Sequence, residues 1–214
     1  MKSKLIKNGF EDRLDLFLEF MKLRKFEDEE FNFIKKFKAE MSLSDDEIIY
    51  ACFLSVSTGD WDLNFPKSER GKVTRYILKE FDRDSILTDN IMAKKMQEKL
   101  NQKFDHDAFK KGNHRSRLHV CNAKKWHFRK RYGGNIVSSI HSFYSNFLDN
   151  CPAEQIFDKY KKSNDPFDSA FKKLKKKNVV KSFGPLAAFD FLQSLNYVLD
   201  YKFLSPNYIY SKER

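Results

Sequence analysis

The sequence predicts an all-α fold, and three observations lead to this prediction. Apolar residues recur at helical spacing through most of the 214 residues, no stretch alternates like a useful β-strand, and Pro and Gly stand where helices begin or end. A hydrophobic content of 41% with 22 Phe is enough for one substantial core. We therefore expect a single all-helical domain over residues 1–214, within which residues 1–100 and 135–214 can form two lobes joined by residues 101–134.

The first three predicted helices are marked by apolar stripes and one strong cap. A stripe over residues 9–23 comprises Phe10, Leu14, Phe17, Leu18 and Met21. The next helix turns inward Phe31, Ile34, Phe37 and Met41. Ser44 with Glu47 matches a capping box. The helix that it starts, Asp45 to Val56, is apolar on all sides, and Gly59 should end it.

Two helices are predicted in the middle of the chain. One runs from about Glu69 to Phe81. The other is capped by Thr88 or Asp89. It carries Ile91, Met92, Met96 and Leu100.

The C-terminal part predicts a further series of helices. A helix from Asn135 to Leu148 has on one face Ile136, Ile140, Phe143 and Phe147. Pro152 is expected as the first residue of the next helix, and Asp165-Pro166 begins another. A Ser-Phe-Gly-Pro turn then leads into a last helix with Pro185 in its first position. Its apolar residues are Leu186, Phe189, Leu192 and Leu195.

Positive charge is concentrated in the second half of the chain. Residues 1–100 contain 19 Lys plus Arg against 20 Asp plus Glu, and residues 101–214 contain 22 against 10. Between residues 109 and 132 basic groups are interleaved with aromatic rings, a mixture that suits phosphates and exposed bases. We predict DNA contacts here from Arg115, Arg117, Lys124, Lys125, Trp126, Arg129, Lys130, Arg131 and Tyr132. A solvated or mobile basic loop is the alternative.

The turn before the last helix is a second candidate for phosphate binding. Free N–H groups at the start of a helix can converge on an anion, and we expect Ser182 and Gly184 to contribute here. For Gly184 this prediction assumes a backbone conformation that is closed to other residues. An ordinary helical turn in a core is the alternative interpretation.

The same stretch resembles the hairpin of the helix-hairpin-helix DNA glycosylase superfamily, whose usual pattern is hydrophobic-Pro-Gly-hydrophobic-Gly-x-x-x-Ala. Phe183, Gly184 and Ala188 match it, while Lys181 and Ser182 stand in place of Pro and the first Gly. Phe-Gly-Pro-Leu-Ala-Ala-Phe-Asp, followed by Leu-Asn-Tyr, is similar to the alpha-glutamyl/putrescinyl thymine pyrophosphorylase branch, which is linked to hypermodified bases in phage DNA. The similarity covers mainly residues 135–200.

The resemblance implies a helix-hairpin-helix glycosylase-like domain with a DNA-binding cleft and a catalytic carboxylate. In the superfamily that carboxylate is an Asp shortly after the second hairpin helix, which points to Asp200 here, although the usual Pro-x-Asp context is missing. The pyrophosphorylase branch points instead to Asp190. Members with a nucleophilic Lys in the turn differ from this chain, which has Pro185 and Leu186 there, so no Schiff-base step is expected.

Other chemistries lack support in the sequence. The His residues have neither paired Cys nor a His-Glu-x-x-His helix, so no metal is predicted, and the absence of a phosphate-binding Gly-rich loop argues against a nucleotide cofactor. Cys52, Cys121 and Cys151 are expected as free thiols. No apolar run reaches spanning length, so we expect a cytoplasmic monomer with no membrane partner.

Three functional hypotheses follow. The first is an enzyme that cleaves the N-glycosidic bond of a flipped, modified base in double-stranded DNA. The second is a transferase that attaches an amine or amino acid to a hypermodified thymine. The third is a non-catalytic DNA-binding module.

Overall fold

The prediction of an all-α fold is confirmed for the part of the chain that the structure describes. In the computed structural model this part comprises residues 31–60, 70–103, 136–176, 179–181 and 183–204, and it contains helices and no strand. The predicted helix over residues 9–23 lies outside it. None of the described helices is long and apolar enough to cross a membrane.

Helix α2 (Asp45–Thr58) is the centre of the fold. Its predicted capping box is present: the Ser44 hydroxyl accepts from the Glu47 N–H at 3.3 Å, and the Glu47 carboxylate accepts from the Ser44 N–H at 2.8 Å. Gly59 ends the helix with φ 77°. Every residue from Ile48 to Thr58 is buried, so α2 is surrounded by other helices, as its all-round apolar sequence predicts.

Two of the helices among residues 31–103, α1 (Asn32–Met41) and α3 (Lys72–Glu80), pack against α2. Helix α1 buries Ile34 and Phe37, as predicted. Helix α3 begins three residues later than predicted, after Gly71 at φ 73°. The short helix α4 (Arg83–Thr88) was not predicted.

Helix α5 (Asn90–Lys103) confirms Asp89 as the cap, because the Asp89 carboxylate accepts from the Ile91 N–H at 2.7 Å. Met96 and Leu100 are buried. Ile91, from the same predicted set, is 79% exposed, because at 100° per residue it lies on the face of the helix opposite to Ala93, Met96 and Leu100.

The remaining helices complete the shell. Helix α6 (Ile136–Ser142) continues into a π-helical turn (Phe143–Phe147), and the four apolar residues of its predicted face are all buried. Helix α7 (Ala153–Lys161) begins one residue later than predicted: Pro152 is extended (ψ 136°) and is the N-cap instead of the first helical residue.

Helix α8 (Pro166–Lys175) and helix α9 (Pro185–Leu199) both begin with the predicted Pro. A short 3-10 turn (Lys202–Leu204) follows α9. Helix α9 packs against α1, α2 and α8.

The described residues share one hydrophobic core. Buried side chains from residues 31–100 and from residues 136–204 belong to the same cluster. At its centre Phe53 of α2 stacks on Phe143 with ring centroids 4.1 Å apart and meets Phe191 of α9 edge to face at 6.1 Å. Burying one such Phe stabilises the fold by about 1.5–3 kcal/mol.

Candidate functional site

The connection between α8 and α9, residues 176–184, is called the hairpin here; residues 177, 178 and 182 lie outside the described part, and hydrogen bonds attach the described residues to α6 and the π-helical turn that follows it. The Ser139 hydroxyl donates to the Lys181 carbonyl at 2.8 Å, and the Lys181 N–H donates to the Ser142 hydroxyl at 2.9 Å. The Asn146 side-chain amide donates to the Val179 carbonyl at 3.2 Å. These bonds fix the hairpin against a helix that lies about 40 residues earlier in the chain.

An aromatic side chain anchors the other end of the hairpin. Phe183 is 6% exposed, and its ring stacks on Phe53 at 5.5 Å and meets Phe191 edge to face at 6.2 Å. Aromatic pairs of this geometry stabilise the contact by about 0.5–1.5 kcal/mol beyond the buried area. The core therefore determines where the hairpin backbone and the side chains beside it lie.

A polar groove of about 390 Å³ opens beside the hairpin, between it, α6 and the start of α5. We call it the hairpin groove. It is lined by Asn90, Val137, Ser138, His141, Ser142, Ser145, Asn146 and Lys181. The lining contains one ammonium group, that of Lys181, and no carboxylate. An arrangement of hydroxyls, amides, an imidazole and an ammonium favours a ligand with acceptor oxygens and negative charge.

The structure corrects the expected conformation of Gly184. Its φ of −85° and ψ of 177° are open to any residue, and a Cβ added there would meet nothing within 4 Å. Gly184 is the N-cap of α9, and caps ordinarily adopt this extended conformation. The hairpin turns without left-handed backbone at Gly184, so the assumption behind its predicted role is wrong.

Several of the described N–H groups of the hairpin donate inside the protein. Those of Val179 and Phe183 donate to the carbonyls of Lys176 and Val180, at 3.1 and 3.3 Å, and that of Lys181 donates to α6 as described above. These three groups are therefore not available for the phosphate that the sequence predicted.

Asp200 lies at the opposite end of α9 from the hairpin. It is the C-cap residue, in left-handed conformation (φ 57°, ψ 34°), which Asp tolerates better than most residues. Its side chain is 78% exposed, and the Lys202 ammonium lies 3.6 Å from its carboxylate. Because α9 has 15 residues, the two ends are separated by about 22 Å. The hairpin groove therefore does not include Asp200.

The surroundings of Asp200 are acidic. Burial, together with the carboxylates of Asp45, Glu154 and Asp158, raises the pKa of the neighbouring Tyr201 to about 12. An exposed carboxylate among other carboxylates repels a phosphate backbone. Asp190, the second predicted acid, is half-buried and lies about 9 Å along α9 from Gly184, much closer to the hairpin.

The predicted basic site lies outside the described residues. It comprises Arg115, Arg117, Lys124, Lys125, Trp126, Arg129, Lys130, Arg131 and Tyr132. Ser182 and Cys121 lie outside them as well. Of the other Cys residues, Cys52 and Cys151 are free thiols, and burial raises the pKa of Cys52 to about 12.

Sequence reasoning missed the hairpin groove, although a signal for it exists. Ser138, His141, Ser142 and Ser145 follow helical spacing along one face of α6 and the π-helical turn, away from the apolar stripe that was recognised. Polar residues on an exposed helix face are ordinary, so only the hairpin packed beside them reveals a groove.

Within the described residues no group of three or more His, Cys, Asp or Glu is placed to hold a metal ion. Comparison of the chain with protein-family models, with curated proteins and with solved structures finds no match.

Proposed function

We propose that the chain binds double-stranded DNA at the hairpin groove and acts on a base flipped out of the duplex, as a DNA glycosylase-type hydrolase. The observation that carries the proposal is the groove itself. Its lining offers donors and one ammonium group without a carboxylate, and it adjoins the hairpin whose sequence resembles the glycosylase superfamily. The net charge of +11, which lies entirely in the second half of the chain, supports a polyanionic partner.

Base excision needs a carboxylate close to the sugar, because positive charge develops there as the N-glycosidic bond breaks. Successive base pairs rise by about 3.4 Å, so the 22 Å between the hairpin and Asp200 corresponds to about six base steps. Asp190 lies much nearer to the hairpin and is the better candidate in this proposal. Transfer of an amine or amino acid to a hypermodified thymine would also act on a flipped base of DNA held at the hairpin groove.

The position of Asp200 also favours a second candidate function, a DNA-binding module without catalysis. Among the described carboxylates, Asp200 best matches the position of the catalytic Asp in the glycosylase superfamily. It is exposed and remote from the hairpin groove. A module of this kind would bind DNA at the hairpin groove and would not cleave or modify a base.

The experiment is incubation of the full chain with DNA that carries different base modifications, followed by alkali treatment and mass analysis of the nucleosides. Alkali-labile sites indicate excision, a mass change without loss of the base indicates transfer, and binding without either indicates the module. No binding to any of these DNAs would refute all three functions.

Two further sets of variants locate the function. If Asp190 supports excision, Asp190→Asn lowers the rate by roughly two to four powers of ten with little change in binding, and Asp200→Asn is the matched control.

In the predicted basic site between residues 109 and 132, replacing Arg129 and Arg131 by Ala should weaken binding to all sequences alike. The slope of log affinity against log salt should fall by about 0.9 for each lost phosphate contact. An unchanged slope and affinity would remove these two residues from the interface.

A further inference from the structure

We infer that the hairpin groove holds a phosphodiester of the DNA strand through side chains, with Lys181 as its countercharge. This inference rests on the proposed DNA-binding function and specifies which part of the DNA occupies the groove. It also places the phosphate anchor on side chains beside the hairpin instead of on the hairpin backbone.

The chemistry of the lining favours a phosphodiester. Its non-bridging oxygens only accept hydrogen bonds and share one negative charge, so a suitable site offers donors and one cation. Lys181 is exposed, and among the described residues no carboxylate lies within ion-pair distance of its ammonium group. The Asn90 amide and the His141 imidazole add donors at the same groove.

Three N–H groups of the hairpin backbone are poorly suited to the same task. Since the N–H groups of Val179, Lys181 and Phe183 donate within the protein, a phosphate could recruit them only by breaking existing hydrogen bonds. Each of those bonds contributes to the stability of the native state, so breaking one opposes binding. The Lys181 ammonium needs no such rearrangement.

The lining also suits the backbone of a strand. Its one ring is the His141 imidazole and no Phe, Tyr or Trp lines it, so it offers little surface on which a base could stack. Its volume of about 390 Å³ leaves room for sugar atoms beside the phosphate, and the groove is open to solvent, as a continuous strand requires.

Helix α5 extends the positive surface beyond the groove. Lys94 lies four residues after Asn90, hence on the same helix face one turn further on, and it is exposed. A strand that enters the groove at Asn90 would pass Lys94 with its neighbouring phosphate.

The test compares Lys181→Gln with Lys202→Gln in the full chain, using a short duplex and salt between about 50 and 200 mM. Both variants remove one exposed positive charge, but Lys202 lies at the far end of α9. Lys181→Gln should weaken binding about tenfold and lower the salt slope by about 0.9, whereas Lys202→Gln should change neither. Lys181→Arg, which keeps the charge, should restore most of the affinity.

Single methylphosphonate linkages, placed in turn along the duplex, identify the phosphate concerned. Each methylphosphonate linkage removes one negative charge from the duplex. At one position the linkage should weaken binding to the wild type and leave the affinity for Lys181→Gln unchanged. If the wild type binds DNA but Lys181→Gln has the same affinity, slope and methylphosphonate profile, the inference fails while DNA binding stands. If inorganic phosphate displaces DNA at constant ionic strength and no position is sensitive, the groove takes a free anion and the inference also fails.

Discussion

A buried carboxylate at the end of α2 gives the most quantitative prediction. Asp60 is fully buried, and its carboxylate accepts from the Thr74 N–H at 2.8 Å and from the Thr74 hydroxyl at 3.0 Å, which ties α2 to the first turn of α3. Burial raises the pKa of Asp60 to about 6, although the hydrogen bonds from Thr74 limit the rise. Asp60→Asn keeps the size of the side chain and removes its charge at every pH.

The direction in which stability changes with pH follows from the raised pKa of Asp60. The pKa in the folded state, about 6, exceeds the ordinary value of 3.8, so the folded state holds the proton more tightly. The stabilisation from this proton is complete below pH 3.8 and is lost as the pH rises through 6. The full difference is about 3 kcal/mol, of which about 1.3 kcal/mol falls between pH 5 and pH 7.

The measurement is urea unfolding of wild type and Asp60→Asn, followed by helical circular dichroism at several pH values. The free energy of unfolding of Asp60→Asn minus that of wild type should increase by about 1.3 kcal/mol from pH 5 to pH 7. Taking the difference between variant and wild type at each pH cancels the contributions of the other titrating groups. The matched control is Asp158→Asn, which substitutes an exposed carboxylate. A difference for Asp60→Asn that stays constant, or decreases with pH, would refute the assignment of a buried carboxylate with a raised pKa.

Two structural predictions complete the set. Gly71→Ala should destabilise the fold by about 2–3 kcal/mol in urea unfolding, because φ is 73° and the new Cβ would overlap the rings of Phe33 and Phe37. Gly184→Ala should cost less than about 1 kcal/mol, and equal effects of the two substitutions would contradict the backbone argument. Asp46→Ala should lower the free energy of unfolding by about 2–4 kcal/mol, because Asp46 pairs with Arg83 and accepts from the Ala153 N–H at 2.8 Å. A loss below about 0.5 kcal/mol would show that neither contact stabilises the fold.

Much of the fold could be predicted because its signals are local. The Ser44–Glu47 capping box, Pro at the start of α8 and α9, and the apolar stripe of α6 all act within one or two helical turns. The predicted helix boundaries were wrong where a boundary depends on tertiary contacts. Pro152 lies outside α7 because the next N–H, that of Ala153, is capped by Asp46 from α2, 107 residues earlier.

The candidate site was harder to predict for the same reason. The hairpin groove exists because Lys181 packs against α6 through hydrogen bonds that join residues 39 and 42 positions apart. The sequence pattern around Gly184 indicated a phosphate-binding turn but contained no information on which N–H groups the protein would use internally. Ser142, which accepts from the Lys181 N–H, and Ser139, which donates to the Lys181 carbonyl, look like ordinary helix residues in the sequence.

The two ends of α9 differ electrostatically, and this difference bears on how DNA would be oriented. The N-terminal end carries the positive end of the helix dipole and adjoins Lys181, while the C-terminal end carries the negative end, Asp200 and the acidic groups around Tyr201. Lys202 offsets Asp200 only in part, because both side chains are largely exposed and the pair is screened by solvent. We therefore expect a phosphate backbone to be favoured at the hairpin end over the other end. A carboxylate that works on DNA held at the hairpin groove must then come from the hairpin half of α9 or from another segment, which makes Asp190 a better candidate than Asp200.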